Sequence, residues 1–132
     1  MVKTIQIGDQ EVTFSTSFAW VFVYRNQFGK DPAQVLLPAI SEAQGLDGDA
    51  AALAMMSTLG FTGTVEICWS MVRLIDKTIP EPDRWVESFG DDFSLIELFS
   101  EAIPDVIESC FATKKSQAPT ATTGPKKTTK SK

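Results

Sequence analysis

The first fifteen residues alternate between apolar and polar side chains, which is the pattern of a half-buried β-strand. Ile5 and Ile7 fall on one face of the run VKTIQI, and Val12 and Phe14 fall on one face of QEVTF. A Gly-Asp pair separates the two runs and provides the backbone freedom that a tight turn needs. The pattern predicts a two-stranded hairpin over residues 2–14.

From residue 18 onward the apolar residues recur with the 3.6-residue period of helices. The first helical run, FAWVFVYRNQF, follows serines that can cap it and is closed by Gly29. One apolar stripe along this run predicts the buried face of the helix. Its members are Phe18, Val21, Phe22, the stem of Arg25, and Phe28.

Three more helices are predicted in the middle of the chain. Asp31-Pro32 marks the start of a helix that runs to about Gln44, and Pro38 within it predicts a kink or a fresh start. Small and flexible side chains predict a helix over 49–59, closed by a glycine. After the connection FTGT, strong periodicity predicts another helix over 64–78.

The remaining body is predicted to form two shorter helical pieces. The run IPEPD breaks the preceding helix, and a short helix then carries Trp85 and Phe89. Ser94 opens a last helix to about Phe111, in which Pro104 predicts a bend or a division into two helices. The expected fold is mainly α with a small N-terminal β-hairpin (α+β), as a compact bundle of five or six short helices.

The composition changes at about residue 112. We predict that residues 1–112 form a single helical domain with its N-terminal hairpin. Residues 113–132 contain no aromatic side chain and no aliphatic one larger than alanine. Such a segment buries too little apolar surface to offset the entropy lost on ordering. We expect residues 113–132 to be a disordered Lys/Thr-rich tail or linker.

Charge is distributed unevenly between these two parts. Residues 1–111 contain 17 acidic and six basic residues, a net charge of −11, while residues 112–132 contain six lysines and no acid. A strongly acidic body repels a phosphate backbone, so no nucleic-acid partner is expected. The sequence also lacks a secretory signal and an uncharged apolar run long enough to span a bilayer, so no membrane partner is expected.

The residue types that most enzymes and metal sites use are scarce. The chain contains no histidine, and its two cysteines, Cys68 and Cys110, form no CxxC pair and are expected to be reduced thiols. The eight glycines are scattered singly and form no phosphate-binding loop. The acids around Asp91 are expected to form the solvated face of an amphipathic helix. The sequence therefore predicts no enzyme, no cofactor and no metal.

The segment DRWVESFGDDFSLIELF, residues 83–99, interleaves large apolar side chains with acids. Two interpretations stay open for it: ordinary core packing, or an apolar surface rimmed by carboxylates that binds another protein. On the second interpretation the partner-binding residues are predicted to be Trp85, Phe89, Phe93, Ile96 and Phe99.

Three motifs in this order resemble one known family. The hairpin MVKTIQIGDQEVTF, the capped aromatic helix ending in FGKDP, and the segment PDRWVESFGDDFSLIEL followed by a lysine-rich tail are similar to tail assembly chaperones. These proteins belong to long-tailed bacteriophages and prophages of Gram-positive bacteria. The resemblance covers nearly all of residues 1–115, and the chain departs from it at Pro38, at Pro104 and in a longer Thr/Lys tail.

The resemblance implies a non-enzymatic protein that acts in the host cell cytoplasm and is absent from the mature virion. It would bind and solubilise the phage tape measure protein and help to recruit tail tube protein subunits. Self-association is a further interaction that the sequence leaves open. The family also implies a ribosomal frameshift that extends some copies, and the lysine pairs Lys126-Lys127 and Lys114-Lys115 are the candidate positions for it.

Two other functions remain as alternatives at this stage. A structural head–tail connector or tail completion protein of a phage would stay in the assembled particle. A small regulatory protein of the antitoxin type would bind its partner outside any phage structure.

Overall fold

A computed structural model describes residues 2–110 of the chain. The fold is mostly helical with an N-terminal antiparallel hairpin, as the sequence predicts. The elements are β1 (Val2–Ile7), β2 (Gln10–Ser15), α1 (Trp20–Phe28), α2 (Ala33–Glu42), α3 (Gly48–Ile75), α4 (Pro82–Glu87), a 3-10 turn (Gly90–Asp92) and α5 (Leu95–Cys110). The predicted tail, residues 113–132, and the lysine pairs within it lie outside the described residues.

The hairpin pairs β1 with β2 through a two-residue turn, so that Ile7 lies opposite Gln10 and Ile5 opposite Val12. Because side chains alternate across a strand, Ile7, Val12 and Phe14 are all buried on the face that packs against α3. Lys3, on the same face, lies 3.0 Å from a carboxylate oxygen of Asp105 and so ties the hairpin to α5. The predicted hairpin is confirmed.

Helix α1 buries a different face from the one predicted. Trp20 and Tyr24 are fully buried, whereas Phe18 and Phe22 are 50% and 58% exposed. The predicted stripe is therefore wrong for these two phenylalanines, although Phe28 is partly buried against Trp69. Both sets of rings recur every four residues, and the packing of α1 against α3 determines which set is buried.

Helix α3 joins two segments that the sequence predicts as separate helices. Gly60 lies inside α3 with φ 80° and ψ 164°, a non-helical conformation that glycine tolerates best, and it kinks the helix. The predicted connection after Gly60 is wrong, because FTGT is already helical, and α3 ends at Ile75 rather than at residue 78. The Thr64 hydroxyl donates a hydrogen bond of 2.8 Å to the Gly60 carbonyl at the kink.

Two prolines lie inside helices that continue past them. Pro38 lies within α2 and Pro104 within α5, and neither helix is divided. Of the alternatives predicted for the two prolines, the restart at Pro38 and the division at Pro104 do not occur, while a kink at Pro38 and a bend at Pro104 stay predictions. The start of α2 agrees with the sequence signal, since an oxygen of the Asp31 carboxylate accepts a hydrogen bond of 2.8 Å from the N–H of Ala33.

The core lies where α3 meets β2, α1, α2 and α5. Trp20, Trp69 and Met55 are fully buried within this core. Burial raises the pKa of the Cys68 thiol, which keeps it protonated.

Among the described residues, α3 alone is long and apolar enough to cross a bilayer, but the central helix of a globular domain meets the same criterion.

Candidate functional site

The five predicted partner-binding residues do not share one exposed surface. Trp85, Phe89 and Phe99 are buried in the core, with exposed fractions of 3%, 6% and 0%. Phe93 and Ile96 are partly buried against that core. The core interpretation of residues 83–99 describes these side chains, and their binding to a partner stays a prediction.

Three of these rings form a compact aromatic cluster. The ring centroids of Trp85, Phe89 and Phe93 lie 5.4–5.8 Å apart, in edge-to-face and tilted arrangements. Such pairs stabilise beyond their area burial by about 0.5–1.5 kcal/mol each. The cluster therefore holds α4 and the 3-10 turn in place, and it supports the surfaces around it.

The acids of the same segment are not assembled into a chemical site. Asp91 and Asp92 are exposed on the 3-10 turn, and Glu97 is exposed in the first turn of α5, where the helix dipole favours a negative charge. Within residues 2–110, no group of three or more Cys, Asp or Glu side chains is placed to hold a metal ion.

A large apolar surface surrounds the kink in α3. Phe61, directly after the kink, is 76% exposed, and Leu53, two turns before it, is 58% exposed. A cavity of about 360 Å³ lies on one side of Phe61 and another of about 400 Å³ on the other side. We call this region the Phe61 surface, and its apolar lining comprises Leu53, Met56, Phe61, Val65, Pro82 and Val86.

The Phe61 surface lies at the Gly60 kink. Leu53, Gly60 and Phe61 line the same cavity there. Glu66 and Asp83 border the cavity next to α4, and none of the basic residues between positions 2 and 110 lines it. An apolar centre with a polar, acidic rim is typical of protein-binding surfaces.

A second exposed apolar region lies at α1 and α2. Phe18, Phe22 and Leu37 are each about half exposed, and a smaller cavity of about 180 Å³ lies between α1, α2 and Cys110. Sequence reasoning places Phe18 and Phe22 in the core, so this region was missed. No signal in the spacing separates it from the buried face of α1.

Two buried polar groups on α1 lack a hydrogen-bond partner. The Tyr24 hydroxyl and the indole N–H of Trp20 are both enclosed and unpaired within the described residues. Burial, with a smaller contribution from the charge of Glu66, raises the pKa of Tyr24 to about 12. Neither group lines any of the cavities described above, so we assign them no chemical role.

Comparison with models of known protein families, with curated protein sequences and with solved structures finds no match for this chain.

Proposed function

We propose that this protein is a tail assembly chaperone of a long-tailed bacteriophage or prophage. Its client is the phage tape measure protein, which it binds and keeps soluble in the host cytoplasm, and it helps to recruit tail tube subunits. It is absent from the finished virion. The observation that carries the proposal is the Phe61 surface, a large apolar area exposed on an acidic body.

The chemistry of this surface suits a holding function. Binding covers the exposed apolar stripe of a client helix with the side chains of Leu53, Phe61 and Val65. Removal of this apolar area from water stabilises the complex by about 25 cal/mol per Å². Two cavities on either side of Phe61 fit side chains from successive turns of such a helix. The net charge of −11 on residues 1–111 keeps the loaded complexes dispersed by mutual repulsion.

The test is co-expression of the full chain with a tape measure protein, followed by measurement of the soluble client fraction. The double variant Leu53→Ser/Phe61→Ser should lower that fraction severalfold, because it removes two apolar side chains from the proposed binding surface. Both side chains are exposed, so their loss should leave the core intact. The matched control is Phe18→Ser/Phe22→Ser, which removes two exposed rings from the other apolar region. The control should keep the client soluble.

An equal loss of the soluble client fraction in both double variants, with unchanged melting temperatures, would show that the Phe61 surface is not the specific binding site for the client. Solubility that is independent of this protein would remove the chaperone function altogether. Mass spectrometry of purified particles separates the alternative function, because a connector or completion protein stays in the virion and a chaperone does not.

A further inference from the structure

A groove of about 540 Å³ runs along the outer edge of β2. Four consecutive residues of β2, Gln10 to Thr13, line it, although successive side chains of a strand point to opposite faces. Only the backbone edge of a strand can present four consecutive residues to one groove. The groove therefore runs beside the main chain of β2 and not over one of its faces.

The pairing register shows which backbone groups face this groove. Ile7 and Gln10 flank the two-residue turn and form a hydrogen-bonded pair, so the pairs of Glu11 with Gln6 and of Thr13 with Thr4 are the non-hydrogen-bonded ones. In such pairs the N–H and C=O groups point away from the partner strand. Within residues 2–110, no other backbone group pairs with Glu11 or Thr13, so the edge of β2 is open.

The far wall of the groove is held firmly in place. The indole N–H of Trp69 donates a hydrogen bond of 2.8 Å to the carbonyl of Pro80, and the Arg73 guanidinium donates one of 2.7 Å to the carbonyl of Ile79. At one end the Gln10 amide donates a hydrogen bond of 3.0 Å to the carbonyl of Ser88. The first two hydrogen bonds tie the backbone of residues 79 and 80 to α3, and the third ties the end of α4 to β2.

The floor of the groove is apolar and its rim is acidic. Val72, Trp85 and Phe89 are buried residues that line it, and Ile75 adds an exposed apolar side chain. Of the charged residues in the described part of the chain, Glu11 and Asp76 line the groove and no basic residue does. Hydrogen bonds from the side chain and backbone of Thr78 lower the pKa of Asp76, which keeps it ionised.

From this arrangement we propose that β2 binds an extended segment of another protein as a third strand of the sheet. An added strand satisfies the open N–H and C=O groups of Glu11 and Thr13. Its alternate side chains then face either the apolar floor or the outer face, where Glu11 is exposed. The segment that fits alternates apolar or β-branched residues with lysine or arginine. This inference does not rest on the proposed function, because it uses a different surface.

The probe is a capped peptide as long as β2, six residues, in which valine alternates with lysine. Titration into the full chain should give saturable binding and slow the amide exchange of Glu11 and Thr13, measured by nuclear magnetic resonance. Two isomers of the peptide carry N-methyl groups on alternate residues. One isomer should lose binding, because its blocked N–H groups face β2, and the other should keep it. Replacement of lysine by glutamate should weaken binding about tenfold or more.

The protein variants are matched across one strand pair. Thr13→Pro removes an outward N–H from the groove edge and should weaken the peptide about tenfold. Thr4→Pro removes the equivalent N–H on the other edge of the hairpin, and both variants lose the same 2.8 Å hydrogen bond between the Thr4 and Thr13 hydroxyls. Thr4→Pro should leave binding unchanged. If Thr13→Pro does not fold, Glu11→Lys at an exposed position should reverse the preference between lysine and glutamate peptides.

Three results would overturn the proposal. One is the absence of saturable binding by the valine–lysine peptide. Another is equal loss of binding in Thr4→Pro and Thr13→Pro, or equal binding by both N-methylated isomers. The last is strong protection of the Glu11 and Thr13 amides from exchange in the peptide-free protein. Such protection would mean that the chain's own tail or a second copy already occupies the edge. Dilution distinguishes these two occupants, because only binding of a second copy weakens with dilution. Binding that survives in Leu53→Ser/Phe61→Ser separates this groove from the Phe61 surface.

Discussion

Substitution of Gly8 by alanine tests how the hairpin is anchored to the rest of the molecule. Gly8 lies in the turn between β1 and β2 with φ +59°, and a methyl group there would overlap the side chain of Asp92 on the 3-10 turn. The left-handed conformation costs a non-glycine residue about 1–2 kcal/mol. Overlap with the exposed Asp92 side chain adds about 1–2 kcal/mol, the lower part of the range for overpacking, because this side chain has room to shift. Gly8→Ala should therefore destabilise the fold by about 2–4 kcal/mol.

Gly45→Ala is the matched control. Gly45 has φ +82°, but no atom lies within 4 Å of the position that its Cβ would occupy. It should cost only the conformational part, about 1–2 kcal/mol. The difference between the two variants isolates the contact between the hairpin turn and Asp92.

Urea unfolding followed by tryptophan fluorescence gives both free energies, provided that the slopes agree among the variants. Addition of Asp92→Gly to Gly8→Ala should recover most of the difference, since it removes the overlapping side chain. A Gly8→Ala protein that is no less stable than Gly45→Ala would refute the contact and with it the fixed position of the hairpin turn.

Three further changes test other features of the molecule. Tyr24→Phe should stabilise the fold by about 1 kcal/mol because it removes a buried, unpaired hydroxyl. The folded pKa of Tyr24 is raised to about 12 from 10.0, so the part of the unfolding free energy that depends on its neutral form is complete below pH 10 and is lost as the pH rises toward 12. Urea unfolding across that pH range should therefore show a smaller loss of unfolding free energy in Tyr24→Phe than in the unsubstituted protein. Gly60→Ala should cost about 1–3 kcal/mol in thermal unfolding, because φ 80° with ψ 164° is a conformation that essentially only glycine adopts, and it should also reduce client binding by moving Phe61. Trp69→Phe should cost about 1–3 kcal/mol in urea unfolding by leaving the Pro80 carbonyl unpaired, and it should speed amide exchange in the 76–80 loop.

The sequence by itself determined the elements that depend on local chemistry. Alternation in the first fifteen residues predicts the hairpin, and the dipeptide Asp31-Pro32 predicts the start of α2, because turn and cap preferences act over a few residues. The burial of Trp69 also agrees with the 3.6-residue period of the run 64–78, on which it lies.

Only the tertiary structure decided which apolar side chains remain outside. The helix α1 has rings on two faces, and its contact with α3 buries Tyr24 while leaving Phe22 exposed. The sequence predicts a helix end at Gly60, and its backbone is indeed non-helical, but the chain resumes helical geometry at Phe61, before residue 64, where the sequence predicts the next helix to begin. The open edge of β2 depends on which elements fail to cover it. Local sequence determines the hydrogen bonds within a strand pair, whereas the absence of a third strand within residues 2–110 is a property of the packing arrangement of those residues.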